Sequence, residues 1–140
     1  MAIRDIIFRG KRIDNGEWVE GYFVNLWLMH YQKHQPIITD NNAVSYDVDP
    51  STVGQYTGLT DKNGKKIFEG DIMVFTAYGF DYVGTVEFAD GSFSIMCEHT
   101  SPFLDQAVSK HGAYIIGNMH DNPELLGKND QRASKMGEEE

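Results

Sequence analysis

Thr57-Gly-Leu-Thr-Asp-Lys-Asn-Gly-Lys-Lys-Ile-Phe-Glu-Gly-Asp-Ile72 reads as one compact β element. Asp61 and Gly64 stand where a type I turn favours aspartate at its first position and glycine at its fourth, with Gly64 left-handed. Leu59 and Thr60 then run against the stretch from Lys65 to Phe68, Glu69-Gly70-Asp71 makes a second turn, and Ile72-Met-Val-Phe-Thr-Ala77 opens a new strand. The acids of this segment are turn residues first.

Downstream, a two-residue Asp90-Gly91 loop sets a hairpin register that pairs Ala89 with Ser92, Phe88 with Phe93, Val86 with Ile95 and Gly84 with Cys97. That register gathers the apolar set on one face and puts Thr85, Glu87, Ser94 and Met96 on the other, and a slip by one residue exposes the core set. Ser101-Pro102 then offers an N-cap and a proline at the first helical position, Leu104, Ala107 and Val108 share one side, and His111-Gly112 stops the helix. Tyr114 to Met119 returns as a strand. Asn122-Pro-Glu-Leu-Leu126 closes the element as a turn whose two leucines cap the core, and Lys128 to Glu140 reads as a mobile tail.

Upstream, Ile6 to Ile13 and Glu17 to Val24 flank Asp14-Asn15-Gly16 as a hairpin. A two-residue loop sets Asp14 against Glu17, a like-charge pair, whereas a three-residue turn with a left-handed Gly16 avoids it, so the register stays open. Asn25-Leu-Trp-Leu-Met-His-Tyr31 is apolar on both faces; periodicity suits a buried strand or a short helix, and the strand is preferred. Ile37 to Thr39 and Ala43 to Val48 form strands around Asp40-Asn41-Asn42, ended by Asp49-Pro50. Trp18, Tyr22 and Trp27 read as core or lobe-interface residues.

Together these segments predict a mainly β protein, a small barrel or two curled sheets packed together, with one short α-helix. Residues 1–127 form one domain, with a first lobe over 1–56 and an SH3-like small-barrel lobe over 57–127. A length of 140 residues fits one folding unit or two small packed lobes, and 41% hydrophobic with 12% aromatic content calls for a packed core. No apolar run approaches the roughly 18 residues a membrane helix requires. A single cysteine, Cys97, excludes an internal disulfide framework and a cysteine zinc site, and fits a reducing cytoplasm. The formal charge of −9, from 21 acids against 12 bases, offers no general attraction to phosphate.

Candidate chemistry is weighed against ordinary structure. Asp61, Glu69 and Asp71 have the side chains for acid–base work or a divalent cation, yet turn chemistry already explains them. His30 and His34 have a metal-ligand spacing for a helix, but lack the accompanying glutamate and precede Pro36. Cys97 faces the apolar side of its hairpin with His99 at the same parity, which favours a small buried hydrophobe over a nucleophile. Arg4, Arg9, Lys11 and Arg12 make a short basic strand, and Tyr78, Phe80 and Tyr82 surround Gly79; Arg9, Lys11, Arg12 and these three rings are the candidate interaction surface. The rings can equally fold back over the core. Neither a nucleotide-binding loop, a metal site nor a cofactor motif is read.

The opening Ile7-Phe-Arg-Gly-Lys11, the run Val53-Gly-Gln-Tyr-Thr-Gly-Leu59, the Asp61 to Gly64 turn, Glu69-Gly-Asp71, and Ile115-Ile-Gly-Asn-Met-His-Asp-Asn-Pro-Glu-Leu-Leu126 jointly resemble the YopX family of small phage and prophage proteins. The stretch from Leu26 to Val48 follows no pattern of that family. The resemblance implies a phage or prophage setting in a bacterial cytoplasm and transfers no catalytic residue. The functional expectation is a non-enzymatic accessory protein that binds a host or phage protein in preference to nucleic acid, with self-association open to it. The alternatives are an acidic inhibitor of a host nucleic-acid enzyme, a nucleic-acid-binding protein, or a carboxylate- or metal-dependent enzyme.

Overall fold

A computed structural model describes residues 4–127, and the tail read as mobile at 128–140 lies outside the described residues. The chain divides into two compact units after Gly58.

The first unit is an antiparallel sheet of β1 (Phe8–Lys11), β2 (Trp18–Leu28), β3 (Lys33–Thr39), β4 (Ser45–Asp47) and β5 (Gly54–Thr60), in the order β4-β3-β2-β1-β5. The open register of the first hairpin is settled by its closing bonds: the Arg12 N–H donates to the Glu17 carbonyl and the Gly16 N–H to the Arg12 carbonyl, each at 2.9 Å. The loop therefore runs from Ile13 to Gly16, with Gly16 left-handed at φ +73°. Asp14 no longer opposes Glu17 and turns to the Arg12 guanidinium instead. Ile38 and Val48 are fully buried, and Gly10 lies close against both. Gly21 is required by close approach, because a Cβ there would stand 2.0 Å from the Thr39 carbonyl oxygen of β3. Asp49 caps the short 3-10 turn Pro50–Thr52, whose Thr52 hydroxyl accepts the Lys11 N–H at 2.9 Å.

β2 and β3 outrun their neighbours. β1 pairs with β2 only as far as Gly21, and β4 pairs with β3 only over Ile37 to Thr39, so Asn25 to Leu28 and Lys33 to Pro36 are matched to each other alone. The strand reading of Asn25 to Leu28 holds, but its burial does not. Leu26 is 41% exposed and Trp27 50%, on opposite faces of the ribbon, and Met29 and Tyr31 in its turn are 80% and 73% exposed. Tyr22, read with Trp18 and Trp27 as a core or lobe-interface residue, is likewise exposed. An apolar pattern records which residues can be buried, and here no layer among the described residues covers them.

In the second unit, β6 (Lys66–Phe68) lies beside the last residues of β5, and a four-stranded antiparallel sheet runs in the order β10-β7-β8-β9, built from β7 (Asp71–Ala77), β8 (Phe80–Ala89), β9 (Ser92–Met96) and β10 (Tyr114–Asn118). β9 and β10 are its terminal strands and do not pair with each other, so the small barrel expected over 57–127 does not close, and the described strands form two antiparallel sheets. The β8–β9 register is the predicted one, Ala89 with Ser92, Phe88 with Phe93 and Val86 with Ile95, around a type I′ turn in which Asp90 and Gly91 have φ +53° and +83°. Phe88 departs from its expected burial. It sits beyond the core near the hairpin tip, 55% exposed, edge-on to Phe93 with ring centres 5.0 Å apart.

The sheet has cores on both faces. Met73, Phe75, Val86 and Ile95 pack with Ile67 and with Leu104, Ala107 and Ala113, while Ile72, Val74 and Val83 pack under Tyr114, Ile116, Leu125 and Leu126. Each fully buried isoleucine among them contributes roughly 1.5–3 kcal/mol. The α-helix α1 (Leu104–His111) starts later than its sequence suggests: Phe103, not Ser101, occupies the N-cap and has no side-chain capping bond. The reason is tertiary. The Pro102 carbonyl accepts the Ile95 N–H and the Thr100 carbonyl the Cys97 N–H, both at 3.0 Å, which holds this segment extended along β9. Gly112, left-handed at φ +60°, ends the helix as predicted.

Candidate interaction surfaces and the bonded turns

Among the three candidate acids, two are consumed by backbone. Asp61 Oδ1 accepts the N–H groups of Asn63 and Lys65, each at 2.9 Å, while Oδ2 accepts that of Ile115 at 3.0 Å. Burial opposes the charge, but the N–H groups of Ile115, Lys65 and Asn63, with the Lys65 ammonium, outweigh it and hold the Asp61 carboxyl below its ordinary value. Asp71, 2% exposed, accepts the Phe68 N–H at 2.8 Å and so closes the Glu69-Gly70 turn. That turn is bonded further on both sides, as the Gly70 N–H donates to the Val86 carbonyl and the Gly70 carbonyl accepts the Met119 N–H. Among the described residues no three metal-ligating side chains come together.

The closing motif belongs to the same scaffold. Asn122 Oδ1 accepts the Asn118 N–H at 3.1 Å, and Gly117 leaves room for it, since a Cβ at Gly117 would meet Asn122 Oδ1 at 2.6 Å. Asp61 and Asn122 thus occupy the outer edge of β10, satisfying N–H groups that point away from β7.

The basic strand is partly engaged within its own unit. The Arg9 guanidinium and the Lys11 ammonium both lie over the Trp18 ring, 4.8 Å and 5.5 Å from its centre. Arg12 lies over Tyr46 at 4.5 Å and binds Asp14 through Nε and Nη2 at 3.0 Å and 2.7 Å. That hydrogen bond, aided by the opposite charge, raises the Arg12 pKa and lowers that of Asp14. Beside them opens a cleft of about 440 Å³ lined by Arg12, Ile13, Asp14, Ser45, Tyr46 and Asp47. Its one cation is already paired.

Phe80 and Tyr82 share one face of β8, opposite Ala77 and Phe75 of β7, while Tyr78 stands in the turn before them. Tyr78 and Gly79, at φ +54° and +83°, make a tight turn between β7 and β8, leaving Tyr78 88% exposed and Phe80 43% exposed. Tyr82 stacks on Phe75, with centres 5.2 Å apart. Arg4 lies exposed at the start of the described chain.

His34 lies on β3, edge-on to Trp27 at 5.0 Å, and His30 lies in the turn before it, so the helical spacing has no helix to act through. Cys97 is half-buried, its thiol pushed up to about 11 by burial, and its Sγ contacts the Ile95 carbonyl at 3.9 Å. The His99 ring approaches Glu98 instead, at 3.7 Å. The ribbon of Asn25–Leu28 and Lys33–Pro36 is the surface that sequence reasoning missed. One signal for it was available: no Asp or Glu occurs between Glu20 and Asp40 in a chain that carries 21 acids.

Two open antiparallel sheets, with their motif residues committed to turns and strand edges, define a scaffold of mainly β class. The family model described as YopX protein matches residues 7–127, and the chain belongs to the YopX family. It is similar to the crystal structure of protein EF1440 from Enterococcus faecalis, at 27% identity over 89% of this chain and 99% of that one, with a TM-score of 0.58. No curated protein matches. No helix among the described residues is long and apolar enough to cross a membrane.

Proposed function

We propose that the protein is a non-enzymatic binding module that engages a protein partner through the β2–β3 ribbon. The observation that carries this reading is the exposure of Leu26, Trp27, Met29 and Tyr31 on a ribbon that has no third strand among the described residues. An isolated two-stranded ribbon is marginally stable in water, and on one face of β2 Tyr22, Val24 and Leu26 stand exposed in a row, an apolar surface of the kind that marks an interaction site. The non-enzymatic part is supported by the use of Asp61 and Asp71 as acceptors for backbone N–H groups and by a Cys97 thiol held protonated. Preference for protein over nucleic acid is supported by the engagement of Arg9, Lys11 and Arg12 with Trp18, Tyr46 and Asp14.

The test is capture with the tagged full chain, nuclease-treated, comparing the natural sequence with Leu26→Glu and Met29→Glu. Both positions are exposed, so the fold should survive the change. A protein retained by the natural chain and lost by both variants supports the reading. Retention unchanged by either, or a capture abolished by nuclease, overturns it.

A further inference from the structure

We infer that the β2–β3 ribbon pairs with the same ribbon of a second copy of this chain, an inference that rests on the reading of the ribbon as a docking surface. Charge argues for this occupant. Each copy carries −9, so two copies repel wherever their acids meet, yet from Gly21 to Thr39 the chain has no acid and Lys33 is its one lysine or arginine. The ribbon is the stretch along which two copies can approach with least repulsion. The same count disfavours phosphate-bearing occupants: anionic membranes are held by clusters of roughly four to eight basic residues, and nucleic acids by many phosphate contacts, whereas the ribbon brings a single lysine.

Backbone geometry supplies the means. From Tyr22 to Leu28 the outer edge of β2 has no strand beside it among the described residues, and this run contains no proline. The β3 edge is interrupted by Pro36, which lacks an N–H and whose carbonyl is already taken by the Val48 N–H at 3.1 Å. β2 is therefore the edge open to strand addition. Antiparallel pairing of β2 with β2 of a second copy is self-complementary about a two-fold axis and joins two ribbons into a four-stranded sheet. Centred on Leu26, such a pairing sets the two Leu26 side chains against each other on one face and Trp27 of each copy against Asn25 of the other on the opposite face.

Sedimentation equilibrium of the full chain over a concentration series tests this. The natural chain should reach the mass of a dimer, Leu26→Glu and Met29→Glu should each weaken the association by at least about tenfold, and circular dichroism should show the variants folded. Added salt should strengthen the natural dimer, because it screens the repulsion of two acidic bodies. A monomer at every concentration, a dimer indifferent to both variants, or one weakened by salt overturns the inference. The docking reading is separable: if the chain stays monomeric while the variants lose a captured protein, only the second-copy occupant falls, and if the variants alter neither association nor capture, both fall.

Discussion

Asp61 and Ile115 are joined by a hydrogen bond of 3.0 Å between the aspartate carboxylate and the backbone N–H, across 54 residues of sequence. The same carboxylate organises its own turn through the N–H groups of Asn63 and Lys65. One side chain therefore shapes a local loop and fastens it to the edge of β10. Hydrogen bonds to a charged acceptor are worth about 1.5–3 kcal/mol each, and a half-buried donor stripped of its acceptor costs about as much.

Asp61→Ala is expected to destabilise the protein by about 3 kcal/mol, less than the sum of three bonds because the turn amides can turn to water. Asp61→Asn should cost about 2 kcal/mol, since its amide nitrogen must face either Ile115 or the turn, donor against donor. Urea unfolding of the three proteins at neutral pH measures both.

The Asp61 contribution should depend on pH in one direction. Its carboxyl is held below the ordinary value in the folded chain, so the stabilisation is fully present above the unfolded value of about 4 and is lost as pH falls through the folded one. The stability gap between the natural protein and Asp61→Asn should therefore shrink below about pH 4 and stay constant above it. Urea midpoints across an acid series check this, and a gap that widens in acid contradicts it.

Cys97 should react slowly with thiol reagents in the folded protein and rapidly in urea, because burial raises its thiol to about 11. A raised folded value means stability present below the unfolded thiol value, about 8.5, and lost as pH rises from there towards the folded one. Replacing Cys97 with alanine should remove that alkaline decline. Reagent kinetics and alkaline unfolding curves provide the measurements.

Tyr78 holds φ +54° at the first central position of its turn while remaining 88% exposed, so its ring gains little from burial and its backbone is strained. Asparagine tolerates this conformation better. Tyr78→Asn should raise stability by roughly 0.5 kcal/mol, read as a higher thermal midpoint, and a lower midpoint would show that the contact with His111, 6.2 Å between ring centres, outweighs the strain.

Local chemistry was legible where the chain itself supplies both partners. Asp90-Gly91 dictated the hairpin register from Ala89–Ser92 to Val86–Ile95, and Asp61 with Gly64 dictated a turn whose bonds the structure contains. What escaped was information held by distant segments. Ser101-Pro102 has the residues of a helix start, but β9 claims the backbone around it. Asn25 to Leu28 has the composition of a core strand, yet composition cannot say whether a covering layer exists, and none among the described residues lies over Leu26 or Trp27. The third bond of Asp61 was equally invisible, because nothing local to residue 61 refers to residue 115.

The bond between Asp61 and Ile115 also orders events in time. Synthesis delivers the carboxylate 54 residues before its last donor, so a nascent chain can form the Asp61 turn early but cannot fasten it until β10 has emerged. Closing that long loop carries an entropic cost that the pairing of β7 with β10 offsets, so fastening is expected once those strands meet. A chain whose translation stops short of Ile115 would carry the Asp61 turn and still lack the bond that fastens it to the edge of β10.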